Sequence, residues 1–82
     1  MKLIISTPFT YRELSVAWLE INSPTGNYVI QHGHAPMIMP LSPHQNLTFR
    51  LKSGKEESIL IRQGMITIGR EEATAVFTDQ EQ

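Results

Sequence analysis

Three histidines are the side chains best suited to chemistry here: His32 and His34, two apart, and His44 further on. Residues two apart on a strand face the same side. Three imidazoles converging in a fold would suit zinc and leave a position for water. The local sequence argues otherwise. Gly33 separates the first two, and Ala35-Pro36 follows, which reads as a turn entering a strand. No cysteine exists, and no carboxylate is placed to complete the set, so no metal is expected. Nucleophilic catalysis is equally poorly served. The single aspartate, Asp79, lies near the C-terminus, and no Gly-x-Ser-x-Gly elbow occurs. Glu56-Glu57 and Glu71-Glu72 are adjacent pairs at expected turns, and adjacent strand residues point to opposite faces. No glycine-rich phosphate loop is present. The reading is a non-catalytic chain with no catalytic residue and no cofactor.

The elements that position these residues are short. Prolines at 8, 24, 36, 40 and 43 and glycines at 26, 33, 54, 64 and 69 cut the chain into strand-length pieces. In Asn46 to Lys52, Leu47, Phe49 and Leu51 alternate with polar residues, the period of a half-buried strand. Lys52-Ser53-Gly54-Lys55 predicts a tight turn, and Ser58 to Arg62 the returning strand. Gly64 predicts a bulge or turn before Ile66 and Ile68. Gly69 to Glu72 forms a further turn, and Ala73 to Thr78 the last strand. Lys2 to Ser6, Tyr28 to Gln31 and Met37 to Leu41 complete the set. Tyr11 to Ile21 is long enough for two strands or one bent strand. Leu14, Val16 and Trp18 share one face, and Ala17, Leu19 and Ile21 the other. A helix competes there, but β-branched and aromatic residues favour strand. The expectation is an all-β fold, a small β-sandwich of about eight to ten short, mainly antiparallel strands. It spans residues 1–78, with 79–82 as a frayed polar tail.

Pro36-Met37-Ile38-Met39-Pro40-Leu41 places two methionines around an isoleucine. One set enters the core; the other forms an adaptable apolar contact surface, unless both faces are covered. The prolines suit an edge strand. With 82 residues and 40% apolar content, the chain makes one small folded domain. Its net charge of −1, without a basic cluster, gives no nucleic-acid footprint. The apolar run at Leu3-Ile4-Ile5 is too short for a signal peptide or a membrane span, which predicts an intracellular protein.

The segment Thr25-Gly26-Asn27-Tyr28-Val29-Ile30-Gln31-His32-Gly33-His34-Ala35-Pro36 resembles the turn-rich centre of a known family. That family is the N-terminal β-sandwich of the epsilon subunit of rotary F-type ATP synthases. Its usual pattern there is Glu-Gly-x-x-Gly-Ile-x-Pro-Gly-His-Ala-Pro. The likeness extends outward. Ile4-Ile5-Ser6-Thr7-Pro8 resembles the opening strand, Val16 to Ile21 the Val-x-x-Val-x-Val strand, and Leu41-Ser42-Pro43 the Leu-Lys-Pro-Gly turn, with His44 in place of glycine. Phe49-Arg50 and the Lys-Ser-Gly-Lys-Glu-Glu turn fit the next hairpin. Ala73-Thr74-Ala75-Val76 resembles Val-Thr-Val-Leu. Departures mark a divergent member: Thr25 for glutamate, Val29 for the second glycine, His32 for proline, and Arg62-Gln63-Gly64 for Ser-Gly-Gly.

The resemblance implies a rotor part that docks on the gamma subunit of the central stalk and touches the c-subunit ring. Through it, ion flow is coupled to ATP synthesis on the cytoplasmic face of an energy-transducing membrane, with no membrane insertion of its own. It implies gamma-facing positions at Ser6, Gln31, His32 and His34, to which the apolar surface of Met37 and Met39 is added. It implies ring-facing positions at Asn27 and Tyr28, with Asn27 replacing a carboxylate common in the family. Typical members continue into a helical hairpin linked to inhibition. The chain ends near where that hairpin would begin, so the expected role lacks it. The isolated chain is expected to be monomeric. A binding module with another partner is the rival reading, and a His-metal protein a more remote one.

Overall fold

The computed structural model describes residues 1–80, without the side chains of 78–80. It contains seven strands: β1 (Lys2–Ser6), β2 (Tyr11–Ser23), β3 (Gly26–Ile30), β4 (Met37–Leu41), β5 (Gln45–Leu51), β6 (Glu56–Ile68) and β7 (Glu72–Gln80). The fold is all-β, as expected, but with seven strands instead of eight to ten. The difference lies in β2 and β6: of the two strands or one bent strand expected for Tyr11–Ile21, and the bulge or turn expected at Gly64, the structure has one continuous strand in each case. The expected boundary after residue 78 falls inside β7, whose pairing with β6 runs to Ile61 opposite Gln80. Residues 81 and 82 lie outside the described residues.

Both long strands of this single hydrogen-bonded sheet serve two layers. The first half of β2 pairs with β1, and its second half pairs with β5 and β3. The first half of β6 pairs with β5, and its second half pairs with β7 and β4. One layer is therefore β4, the end of β6, β7, β1 and the start of β2. The other is the start of β6, β5, the end of β2 and β3. Strand β1 also pairs with β7 in parallel, which closes a circuit β1-β7-β6-β5-β2. Strands β3 and β4 flank that circuit.

A strand that passes from one layer to the other must keep its apolar side chains inward through the bend. Each does so with a register shift. In β2 the buried set runs through Val16, then Leu19 and Ile21. The shift lies between Val16 and Trp18, where an extra residue breaks the period of two. In β6 the buried set runs Ile59 and Ile61, then Gly64, Ile66 and Ile68, with shifts at Ile61/Gln63 and Gln63/Gly64. The bulge expected at Gly64 is thus present. Val16, Leu19 and Ile21, assigned to opposite faces of Tyr11–Ile21, meet in one core, because the bulge moves Leu19 and Ile21 into phase with Val16.

Packing around β7 explains its alanines. Ala73 lies in register between Leu3 and Ile68, and Ala75 between Ile5 and Ile66. All six are buried, and small residues between large ones let the layer interdigitate. At the rim, Arg12 on β2 reaches Glu57 on β6 at 3.1 Å, an ion pair between the two layers. A related constraint fixes Gly64. A Cβ there would lie 2.7 Å from Phe77 Cδ1 and 2.9 Å from the Val76 carbonyl oxygen. Glycine is required by the close approach of β7. Gly64→Ala is expected to destabilise the domain by roughly 1–3 kcal/mol, the range for overpacking a filled core. Urea unfolding of the two proteins measures this, and an unchanged midpoint would contradict the packing argument.

Candidate functional site

Three surface regions carry the residues singled out in the sequence. The first is the β2–β3 hairpin. Ser23 and Gly26 form its last pair, around Pro24-Thr25. Ser23 Oγ accepts from the Thr25 N–H at 3.2 Å and donates to the Gly26 carbonyl at 3.2 Å. The Thr25 and Tyr28 hydroxyls share a hydrogen bond of 3.1 Å, and the Tyr28 ring packs against the core. Asn27 is exposed. Its Nδ2 donates to Asn22 Oδ1 at 3.1 Å and to Glu20 Oε2 at 3.3 Å. A carboxylate therefore stands beside position 27, on the neighbouring strand.

The second region is the β3–β4 connection. The His34 N–H donates to the Gln31 carbonyl at 3.1 Å, and Gly33, the third residue of this turn, has φ +86°. That is the geometry of a type II turn, which calls for glycine there. The Gly33 N–H donates to the Arg70 carbonyl at 2.7 Å, which pins the loop to the β6–β7 turn. His32 and Gln31 are exposed, and His34 is half-buried. His34 Nδ1 lies 2.8 Å from the Ala35 carbonyl oxygen, which can only accept. Nδ1 therefore carries a hydrogen, and Nε2 is the acceptor of the neutral ring. His44 sits apart, at the β4–β5 turn, with φ +59° where the glycine of the resembling pattern would stand. Among the described residues no group of three or more His, Cys, Asp or Glu is placed to hold a metal.

The third region is the outer face of the β4-β6-β7-β1-β2 layer. Met39 is 7% exposed and belongs to the core, and Met37 packs against it. The apolar contact surface expected at Met37 and Met39 is thus corrected: β4 turns Ile38, 68% exposed, and Pro40 outward. The register then continues one outward row across the layer: Pro40, Met65, Val76, Ser6 and Tyr11. Met65 is 52% and Val76 49% exposed. Phe9 is exposed on the β1–β2 turn, where Thr7 Oγ1 accepts from the N–H groups of Phe9 and Thr10. Ser6, singled out in the sequence, lies inside this row and is half-buried. Beside it, Tyr11 donates to Glu13 Oε1 at 3.0 Å, and this bond holds the phenol above its ordinary pKa. Ile38, Met65, Val76, Tyr11 and Phe9 were missed as a surface. Parity alone would have found Met65, since it alternates with buried Gly64 and Ile66.

A protein-family profile described as "ATP synthase, Delta/Epsilon chain, beta-sandwich domain" matches residues 2–81. The chain belongs to this family. Its members are non-catalytic subunits of the synthase. No curated protein sequence gives a significant match. Among solved structures, the chain resembles one from the Tetrahymena thermophila mitochondrial ATP synthase central stalk and c-ring. The identity is 16% and the TM-score 0.82, covering 96% of this chain and 63% of that one. It also resembles one from the Euglena gracilis mitochondrial ATP synthase, at 17% identity and TM-score 0.87, covering 96% of this chain and 51% of that one. These likenesses show the shared fold. The chain spans between about half and two thirds of the length of these neighbours.

In the delta/epsilon sandwich described here, the Gly-His-Ala-Pro segment is therefore a pinned turn with a defined backbone requirement. Nothing lies within 4 Å of a Cβ built on Gly33, so a substitution there meets only the backbone cost. Gly33→Ala should lose about 1 kcal/mol, and Gly33→Asn less, because asparagine tolerates positive φ. Thermal unfolding of the pair checks the order; equal losses would mean that the turn relaxes.

Proposed function

We propose that this domain is a rotor component of the central stalk of an F-type ATP synthase, docked on the gamma subunit and touching the c-subunit ring. The observation that carries this reading is the family match over nearly the whole chain, joined to a built apolar row on one sheet face. Large exposed apolar patches mark protein interaction sites. The gamma contact is assigned to the outer face of β4, β6, β7 and β1, with Ser6 at its centre and Ile38 at its edge. His32 and His34 on the pinned turn extend it. The ring contact is assigned to the β2–β3 hairpin through Asn27 and Tyr28.

The role is mechanical. A domain between two moving parts transmits force through stiffness, and close packing supplies stiffness without catalytic groups. The hairpin and the loop after β3 are held by side-chain and backbone hydrogen bonds, which restrain the two contact regions. No helix among the described residues is long and apolar enough to cross a membrane. Membrane association, on the cytoplasmic face, then comes through the complex.

The test is co-purification of the tagged chain from its native cells, with mass spectrometry of the captured proteins. Gamma with alpha and beta subunits is the expected catch; capture of none by folded bait would overturn the reading. Ile38→Asp and Met65→Asp are expected to weaken gamma capture by roughly tenfold or more, the effect of losing a buried interface anchor. As surface changes they should alter stability by no more than about 0.5 kcal/mol. Met39→Ala should instead cost roughly 2–5 kcal/mol of folding stability.

A further inference from the structure

A separate feature lies on the outer face of the other layer. Trp18, Glu20, Val29 and Gln31 line a shallow notch of about 230 Å³. Glu20 and Val29 are paired across β2 and β3, and Asn22–Asn27 is the next pair on the same face. Asn27 Nδ2 donates to Glu20 Oε2, which fixes the carboxylate and leaves Oε1 as a further acceptor. Glu20 makes no ion pair among the described residues. Trp18 is half-buried, and Val29 adds apolar wall. Arg50, opposite Trp18 on β5, is the nearest candidate cation by register. Its Nη2 lies 3.9 Å from where a Cβ on Gly54 would be, so the guanidinium sits over the β5–β6 turn instead.

We propose that this notch receives an arginine side chain of a partner protein, with the guanidinium between the Trp18 indole and the Glu20 carboxylate. An aromatic wall beside a held carboxylate recognises a flat cation in two ways: by attraction to the ring and by charge-assisted hydrogen bonds. Val29 and Gln31 complete the fit, one against the aliphatic stem and the other offering an amide oxygen. The inference deepens the proposed ring contact and rests on that reading only for which protein brings the arginine. At the hairpin, negative charge is supplied from Glu20 on β2, while position 27 itself is neutral.

Trp18 is the sole tryptophan and therefore reports on its own site. N-acetyl-arginine amide is titrated into the intact chain, with the Trp18 indole N–H followed by NMR; N-acetyl-citrulline amide and sodium chloride are the controls. A saturable shift is expected for the arginine probe alone, with a Kd on the order of tens of millimolar, as suits one cation–π contact and one partly exposed ion pair. Glu20→Gln, which keeps the shape, should abolish saturation while the amide spectrum stays that of a folded protein. Indistinguishable arginine and citrulline titrations, or a Glu20→Gln protein that titrates like the parent, would overturn the assignment. A chain that takes the arginine probe but captures no synthase subunit sinks the proposed function and leaves the notch standing. Capture without arginine binding does the reverse.

Discussion

The structure depends on keeping one face of two long strands inward while each strand changes layer. A strand has a period of two, so a bend alone would turn its apolar set out into solvent. The bulges in β2 and β6 insert the odd residue that restores the phase. Everything else follows from those corrections. Val16 and Leu19 meet in one core despite their opposite parity, and Gly64 leaves the room that Phe77 of β7 occupies beside the bend. With both strands shared, the two layers are covalently continuous at two places.

The surfaces inherit their character from the same device. Once the inward phase is set, the outward phase is set too, and it differs on the two layers. On the layer with β1 and β7 it places Met65, Val76 and Ser6 in one row beside Pro40. On the layer with β3 it places Trp18 and Glu20 next to Val29. One face carries an apolar row that crosses the layer. The other carries a small polar notch against an aromatic ring. A domain built this way presents two different surfaces without a second core.

Much of this was legible in the residues. The alternation of Leu47, Phe49 and Leu51, the turn glycines and the bulge at Gly64 read directly, because each depends on local chemistry. The Gly-His-Ala-Pro segment carried the family by its position between matching strands. The phase of β2 was not legible, since nothing in Ser15-Val16-Ala17-Trp18 marks a bulge; the shift answers to the pairing with β5. The face of β4 was misread for a related reason. Met37, Ile38 and Met39 are all apolar, and only the partner strand β6 decides which of them is covered. The carboxylate beside Asn27 was hidden as well, since Glu20 is seven residues away in sequence and adjacent only through the hairpin.

Strand β1 lies between β2, made directly after it, and β7, made last, and Lys2 pairs in register with Glu72. The circuit therefore cannot close on a chain still being synthesised until almost all of this domain has emerged. Until then one edge of β1 stays open, with its apolar residues covered from one side only. Long-range closure of this kind slows folding and lengthens exposure to wrong partners. In a cell, the moment of greatest vulnerability for this domain falls at its birth, before its last strand arrives.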